Sequence, residues 1–234
     1  MSAYTGYNKD QNIKSNWFDV FPVGNDAPGS RHWRDPGEQR DGCAAGWKES
    51  DVVYEINSWG YRGHLTPGDG EPAAFGCSFT YGYGSNQPWP SYLDIVNCGQ
   101  PGASNDKIVR LAVSYCKTFK PNCIYVMWTF PQRREWIDEY GNVIAFKNIT
   151  DAEAQQIMQQ QFVSWDNSHL YLMNELWDSY NYQKNRLLLE NFCIANQIEL
   201  FQTSVTEIDH RKYPTARDGR HPGPDWHMNV AALF

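Results

Sequence analysis

A doubly wound, largely parallel α/β sheet is the architecture that this sequence of 234 residues predicts, and three observations point to it. Short apolar runs at 72–76, 123–127 and 198–202 have strand length, and each gives way to a turn or loop. Continuous apolar runs of this kind suit parallel strands covered on both faces. Segments with helical spacing separate the runs, as the crossovers of a parallel sheet require. Together these features predict about four or five strands in a flavodoxin-like, three-layer α/β/α arrangement.

Taken in order, residues 1–55 are rich in aromatic, glycine, proline and charged residues with little periodicity. They predict a loop-rich arm with a short strand at 51–56, ahead of a domain spanning 56–234. The run 72–76 reads as a buried strand that stops at Gly76, which places Ser78 at its carboxyl end. In open α/β sheets that edge is where ligands bind. Ser78 could equally cap the helix that follows. Residues 92–97 read as a second strand, running into Cys98-Gly99-Gln100-Pro101-Gly102-Ala103-Ser104-Asn105-Asp106. Ile108, Leu111, Ala112 and Tyr115 then have helical spacing, with Ser104 or Asn105 as the N-cap. A glycine-rich turn before a helix can aim backbone N–H groups at a developing negative charge, or it can be an ordinary connection.

The strand at 123–127 leads into Trp128-Thr129-Phe130-Pro131, and Arg133, Arg134 and Glu135 follow on the same rim. They suit a substrate contact or a salt-bridged clamp; they also suit a solvated loop with an ordinary ion pair. Residues 132–192 predict a largely helical insertion. Gly141-Asn142 marks a hairpin turn between 135–140 and 143–147. Helices are expected at 151–165, capped by Thr150 or Asp151, and at 169–195. Met158, Phe162, Trp165, Leu170, Leu172, Met173, Leu176, Trp177, Tyr180 and 187–189 form an apolar set expected mostly in the core. The region between Pro131 and Ile198 is also the candidate lid or oligomer contact. After the strand at 198–202 comes a loop rich in breakers, Arg217-Asp218-Gly219-Arg220-His221-Pro222-Gly223-Pro224, and then a stub of helix.

Ser78, His221 and Asp218 supply a complete nucleophilic set. A serine hydroxyl is a poor nucleophile until an imidazole takes its proton, and that imidazole needs an acid to fix its tautomer. Of the six histidines, at 32, 64, 169, 210, 221 and 227, His221 follows Asp218 by three positions in a loop rich in breakers, so that a tight turn can point both side chains toward Ser78. Metal chemistry is the rival, since His210, His221, His227, Asp209, Asp218 and Asp225 crowd the C-terminal stretch. No H-E-x-x-H or paired C-x-x-C spacing accompanies them. Cys77 reads as a buried neighbour of Ser78 rather than the nucleophile.

Gly76-Cys77-Ser78-Phe79-Thr80, Asn97-Cys98-Gly99-Gln100-Pro101-Gly102 and Asp218-Gly219-Arg220-His221-Pro222 resemble three blocks of the SGNH (GDSL-like) hydrolases, in the right order and at plausible separations. Ile56-Asn57-Ser58-Trp59-Gly60-Tyr61-Arg62-Gly63 resembles the lead-in found in many members. The resemblance runs from about residue 56 to the C-terminus, with an interruption in the middle. It implies the SGNH fold, a cofactor-free serine esterase with Ser78, Asp218 and His221 as catalytic residues, and oxyanion donors at the Ser78 and Gly102 N–H groups. One block departs. The family's G-x-N-D asparagine is absent after 123–127, where the sequence resembles instead a W-T-x-P-x-R-x-E variant. Thr129 hydroxyl, Trp128 indole or Gln132 amide are the candidate replacements. The departure leaves three readings: a slow hydrolase, a hydrolase with an altered oxyanion hole, or a binding protein on the same scaffold.

Composition bounds the partners. Twenty basic against 27 acidic residues give a net charge of −7, which speaks against a nucleic-acid footprint. No apolar stretch approaches a membrane span, and no secretory signal is visible, so synthesis in the cytoplasm is expected. Six cysteines without framework spacing predict free thiols. Ten Trp, 14 Tyr and 11 Phe are expected largely in loops and grooves, where their faces suit sugar rings, lipid chains or a partner protein, or simply pack the loops, while the resemblance implies a small-molecule or carbohydrate ester as substrate. An oligomer is compatible with this composition.

Overall fold

The computed structural model describes residues 21, 22, 24, 26, 28, 29, 31, 32, 52–137, 143–146, 175–216 and 218–234. Two short strands, β1 (Arg31–His32) and β2 (Tyr54–Glu55), pair antiparallel ahead of the central sheet. The sheet begins with β3 (Ala73–Phe75) and passes through two single-turn helices, α1 (Ser78–Tyr81) and α2 (Trp89–Tyr92), to β4 (Val96–Asn97). Helix α3 (Asn105–Phe119) then leads to β5 (Cys123–Trp128). An antiparallel pair, β6 (Arg134–Ile137) and β7 (Val143–Phe146), precedes α4 (Glu175–Asn196), β8 (Glu199–Ser204) and α5 (Pro224–Ala231). The central sheet has the order β4-β3-β5-β8 and every pairing in it is parallel, so the fold is the expected α/β class.

Side-chain alternation shows how the sheet is covered. Phe75 meets Tyr115 of α3 and Trp128 meets Tyr182 of α4, so these helices share one face. Tyr125, an odd number of residues from Trp128 and therefore on the other face, meets Phe234 beyond α5. Helix α3 forms where the spacing placed it. Ser104 is its N-cap and accepts from the Lys107 N–H at 3.0 Å. It ends at Lys120, left-handed at φ 47°, because Pro121 cannot continue the helix.

Several expectations change. Only Val96 and Asn97 of the run 92–97 are strand; Tyr92 closes α2 and Asp94 has φ 53°, so the chain turns before it can extend. Many of the described large rings are core rather than loop: Trp89, Trp128, Trp226, Tyr54, Tyr61, Tyr81, Tyr115 and Phe75 are all fully buried. Short strands with Ala73 and Ala74 at their centre leave volume that aromatic side chains fill. Even Phe21, from the N-terminal arm, packs against Tyr61, Tyr115 and Phe119. In the apolar set of the insertion, Leu189 is buried, but Leu176, Trp177, Tyr180, Leu187 and Leu188 are exposed. Helix α4 turns a stripe of every fourth residue inward, Asn181, Asn185, Leu189 and Cys193, and half of that stripe is polar. It reaches Asp106, which accepts from Asn181 and Asn185 Nδ2. The helix expected at 151–165, the start of the one at 169–195, the hairpin turn and most of the arm lie outside the described residues.

The described cysteines, at 77, 98, 116, 123 and 193, are free thiols. Among the described residues no helix is long and apolar enough to cross a membrane.

Candidate active site

Ser78 opens α1 at the carboxyl end of β3. The turn is tight enough to require a glycine before it: a Cβ on Gly76 would run into Thr80 and lie 3.0 Å from the Met127 carbonyl. That restriction tips Ser78 onto the sheet edge, where it is 6% exposed. At the opposite end of the sequence, Asp218 Oδ1 accepts from the backbone N–H groups of Arg220 (3.0 Å) and His221 (2.9 Å). This aspartate turn is further held by Ala216 N–H donating to His221 O at 2.7 Å.

The three expected side chains meet. His221 Nδ1 lies 2.5 Å from Asp218 Oδ2, and His221 Nε2 lies 2.9 Å from Ser78 Oγ. With the carboxylate accepting the Nδ1 proton, Nε2 is left to accept from the serine hydroxyl. Burial alone would raise the Asp218 carboxyl; the His221 ring and the two backbone donors outweigh it and hold the group below its ordinary value. An ionised Asp218 is what such an orienting role needs. The imidazole is boxed by rings: Phe79 stands edge-on at 5.5 Å and Tyr83 lies tilted at 5.3 Å. Sequence reasoning missed Tyr83, which sits in the glycine-rich stretch after the serine and had no motif to mark it.

The loop after β4 is fastened beside Ser78. Gln100 N–H donates to Gly76 O at 2.9 Å and Asn97 Nδ2 to Thr80 O at 3.0 Å. Gly102 takes φ 76°, a conformation glycine adopts without cost, and is partly exposed. Neither the Ser78 nor the Gly102 N–H donates to any described residue.

The segment after β5 differs. Trp128 Nε1 donates to Gln202 Oε1 at 2.8 Å, which engages the indole N–H within the protein. Thr129 is fully buried; its N–H donates to Asn105 Oδ1 at 3.0 Å, and its hydroxyl accepts from Arg133 Nη1 at 3.2 Å. Asn105 also donates through Nδ2 to Phe130 O at 3.2 Å, so one buried amide brackets the whole exit of β5. That residue was visible only as a possible cap. Gln132 is half-buried in the following turn. Arg134 pairs with Asp178 at 3.4 Å, and Glu135 with Arg110 at 2.5 Å rather than with a neighbour in sequence.

The histidine-rich C-terminal stretch does not converge. His227 is fully buried in α5 with neither ring nitrogen hydrogen-bonded, and burial, helped by Arg62 and His221, lowers it to about 3. Asp225 is exposed, and Asp209 is paired with Arg211. Among the described residues no group of three or more His, Cys, Asp or Glu is placed to hold a metal ion. A cavity of about 240 Å³ lies along the β4 edge, lined by Glu55, Arg62, His64, Asp94 and Asn97 among others, and excludes Ser78, Asp218 and His221.

No family model and no curated protein matches the chain. Among solved structures it is similar to a GDSL-like lipase from Bacteroides thetaiotaomicron, at 12% identity over 72% of this chain and 89% of that one, with a TM-score of 0.32. It is also similar to a lipase/acylhydrolase from Enterococcus faecalis (15% identity, 70% and 92% covered, TM-score 0.33). A third is a catalytic mutant of an acetylxylan esterase from Geobacillus stearothermophilus (14% identity, 73% and 94% covered, TM-score 0.35). The chemistry of the site rests on its own geometry.

Proposed function

We propose that the chain is a serine-dependent ester hydrolase that works through an acyl-enzyme on Ser78, acting on small acyl groups such as acetyl esters of carbohydrates. The observation that carries this reading is the continuous Ser78–His221–Asp218 relay, with 2.9 and 2.5 Å contacts, at the carboxyl edge of a parallel sheet. His221 Nε2 takes the serine proton as Oγ attacks the carbonyl carbon, then returns it to the departing alcohol. Asp218 keeps the proton on Nδ1 and stabilises the imidazolium that forms. Water, deprotonated by the same nitrogen, then releases the acid. The oxyanion is held by the Ser78 and Gly102 N–H groups, which are the donors left uncommitted, and Thr129 serves to position Arg133.

The experiment is hydrolysis of short-chain nitrophenyl esters by purified wild type and Ser78→Ala. Turnover that depends on Ser78 supports the reading; wild-type turnover that survives in Ser78→Ala removes it.

A second reading is favoured by the side-chain donors after β5, which are engaged within the protein: a scaffold that binds an acylated carbohydrate or a partner protein with little turnover. Retained glycan binding by Ser78→Ala alongside an inert wild type selects it.

A further inference from the structure

The rim beyond β5 carries three arginines, and they are not equivalent. Arg110 is paired with Glu135 and Arg134 with Asp178. Arg133 has no carboxylate partner among the described residues. Its guanidinium gives one hydrogen bond, to the Thr129 hydroxyl, and lies 5.3 Å above the Phe130 ring. Its Nε is buried with no hydrogen-bond partner, as is that of Arg110, whose Nη2 however meets a carboxylate. A guanidinium offers five donors, and a buried donor without an acceptor is unusual in a folded protein. In a chain with net charge −7, acids were there to be recruited.

Arg133 is nonetheless firmly held. Its N–H donates to Phe130 O at 3.0 Å, and its carbonyl accepts from Asn105 N–H at 3.1 Å. The register of β3 and β5 pairs Phe75 with Val126, so Thr129 leaves the sheet at the level from which Ser78 leaves it. From the guanidinium the path to the histidine crosses two rings: Phe130 packs edge-on against Phe79 at 6.1 Å, and Phe79 against His221 at 5.5 Å.

We propose that Arg133 is a specificity-determining residue that binds a carboxylate on the substrate, so that the site selects esters whose alcohol part carries a negative charge. The proposal rests on the ester hydrolase reading for its substrate, but not for its binding test. The planar guanidinium matches a carboxylate fork, and the Thr129 bond and Phe130 face pre-orient it.

The probe is a matched pair, 4-acetoxybenzoate and its uncharged analogue 4-acetoxybenzamide, titrated calorimetrically into the Ser78→Ala protein so that no turnover is needed. The carboxylate is expected to bind roughly 10- to 100-fold more tightly than the amide, the range for a charge-assisted contact, and less so at high salt. Adding Arg133→Gln should erase the difference while leaving amide binding within about threefold, and Arg133→Lys should keep part of it. Equal or undetectable binding of the two compounds overturns the proposal, as does a preference that survives Arg133→Gln. If Arg133→Gln does not fold, a preference unchanged by both Arg133→Lys and salt overturns it. Hydrolysis of the same pair by wild type is followed separately. Failure there tells against the esterase reading, whereas failure of the binding comparison tells against Arg133.

Discussion

The two banks of the site differ in what their hydrogen-bond donors already do. On the β3–β4 bank, the Ser78 and Gly102 N–H groups donate to no described residue, while the His221 ring is held by Asp218 and the loop backbone by the Gln100 N–H bond to Gly76 O. On the β5 bank the donors are committed: the Trp128 indole to Gln202, the Thr129 N–H to Asn105, and Arg133 Nη1 to the Thr129 hydroxyl. Under the proposed mechanism the oxyanion donors therefore sit on the bank built from backbone, and the opposite bank serves to hold an arginine.

The largest test of the division is on the catalytic bank. Ser78→Ala should lower kcat for short acyl esters by about 10⁴- to 10⁶-fold, and Asp218→Asn by about 10⁴-fold because the imidazole takes the wrong tautomer. Thr129→Val reports on the other bank. If the hydroxyl only positions Arg133, kcat for a neutral ester should change by less than about 10-fold; a drop of about 100- to 1000-fold would make Thr129 an oxyanion donor and dissolve the contrast. Asn105→Ala should act on stability instead. It leaves the Thr129 N–H buried and unmet, at a cost of about 1–3 kcal/mol in urea unfolding, with the Ser78 chemistry largely kept in the folded fraction.

The smallest effect distinguishes two histidines six residues apart. His227 is buried and lowered to about 3, so in the unfolded chain it binds its proton near 6.5 while the folded chain does not. Between those values the unfolded state holds more protons, and stability falls as pH drops from about 6.5 toward about 3. His227→Leu should flatten that decline, measured as the difference in denaturant midpoint between pH 7 and pH 4, without moving the neutral-pH activity. A variant as acid-labile as wild type would assign the decline to other groups.

Much of this could be read from local pattern. A strand stopped by Gly76, a capped amphipathic α3 and an Asp218–His221 turn are each decided within a few residues, and so the sequence shows them. The run 92–97 misled because apolar content there belongs to a turn and a two-residue strand, with Pro88 and Pro90 opening α2 ahead of them. The exposed leucines of α4 misled for a related reason: composition marked the helix as apolar, yet Asp106, 75 residues earlier in the chain than Asn181, turned its asparagines inward. Asn105, Tyr83 and the unpaired state of Arg133 depend on partners far away in sequence or on their absence, and no spacing rule carries that information.

Labelling with a fluorophosphonate, read by intact mass and peptide mapping, tests the central claim most directly. An activated Ser78 should take up one phosphonyl group per chain, on the peptide that contains Ser78, and both Ser78→Ala and His221→Ala should abolish or strongly slow it. A wild-type protein that folds and stays unlabelled, or that is labelled at a residue other than Ser78, would contradict a Ser78–His221–Asp218 nucleophilic site.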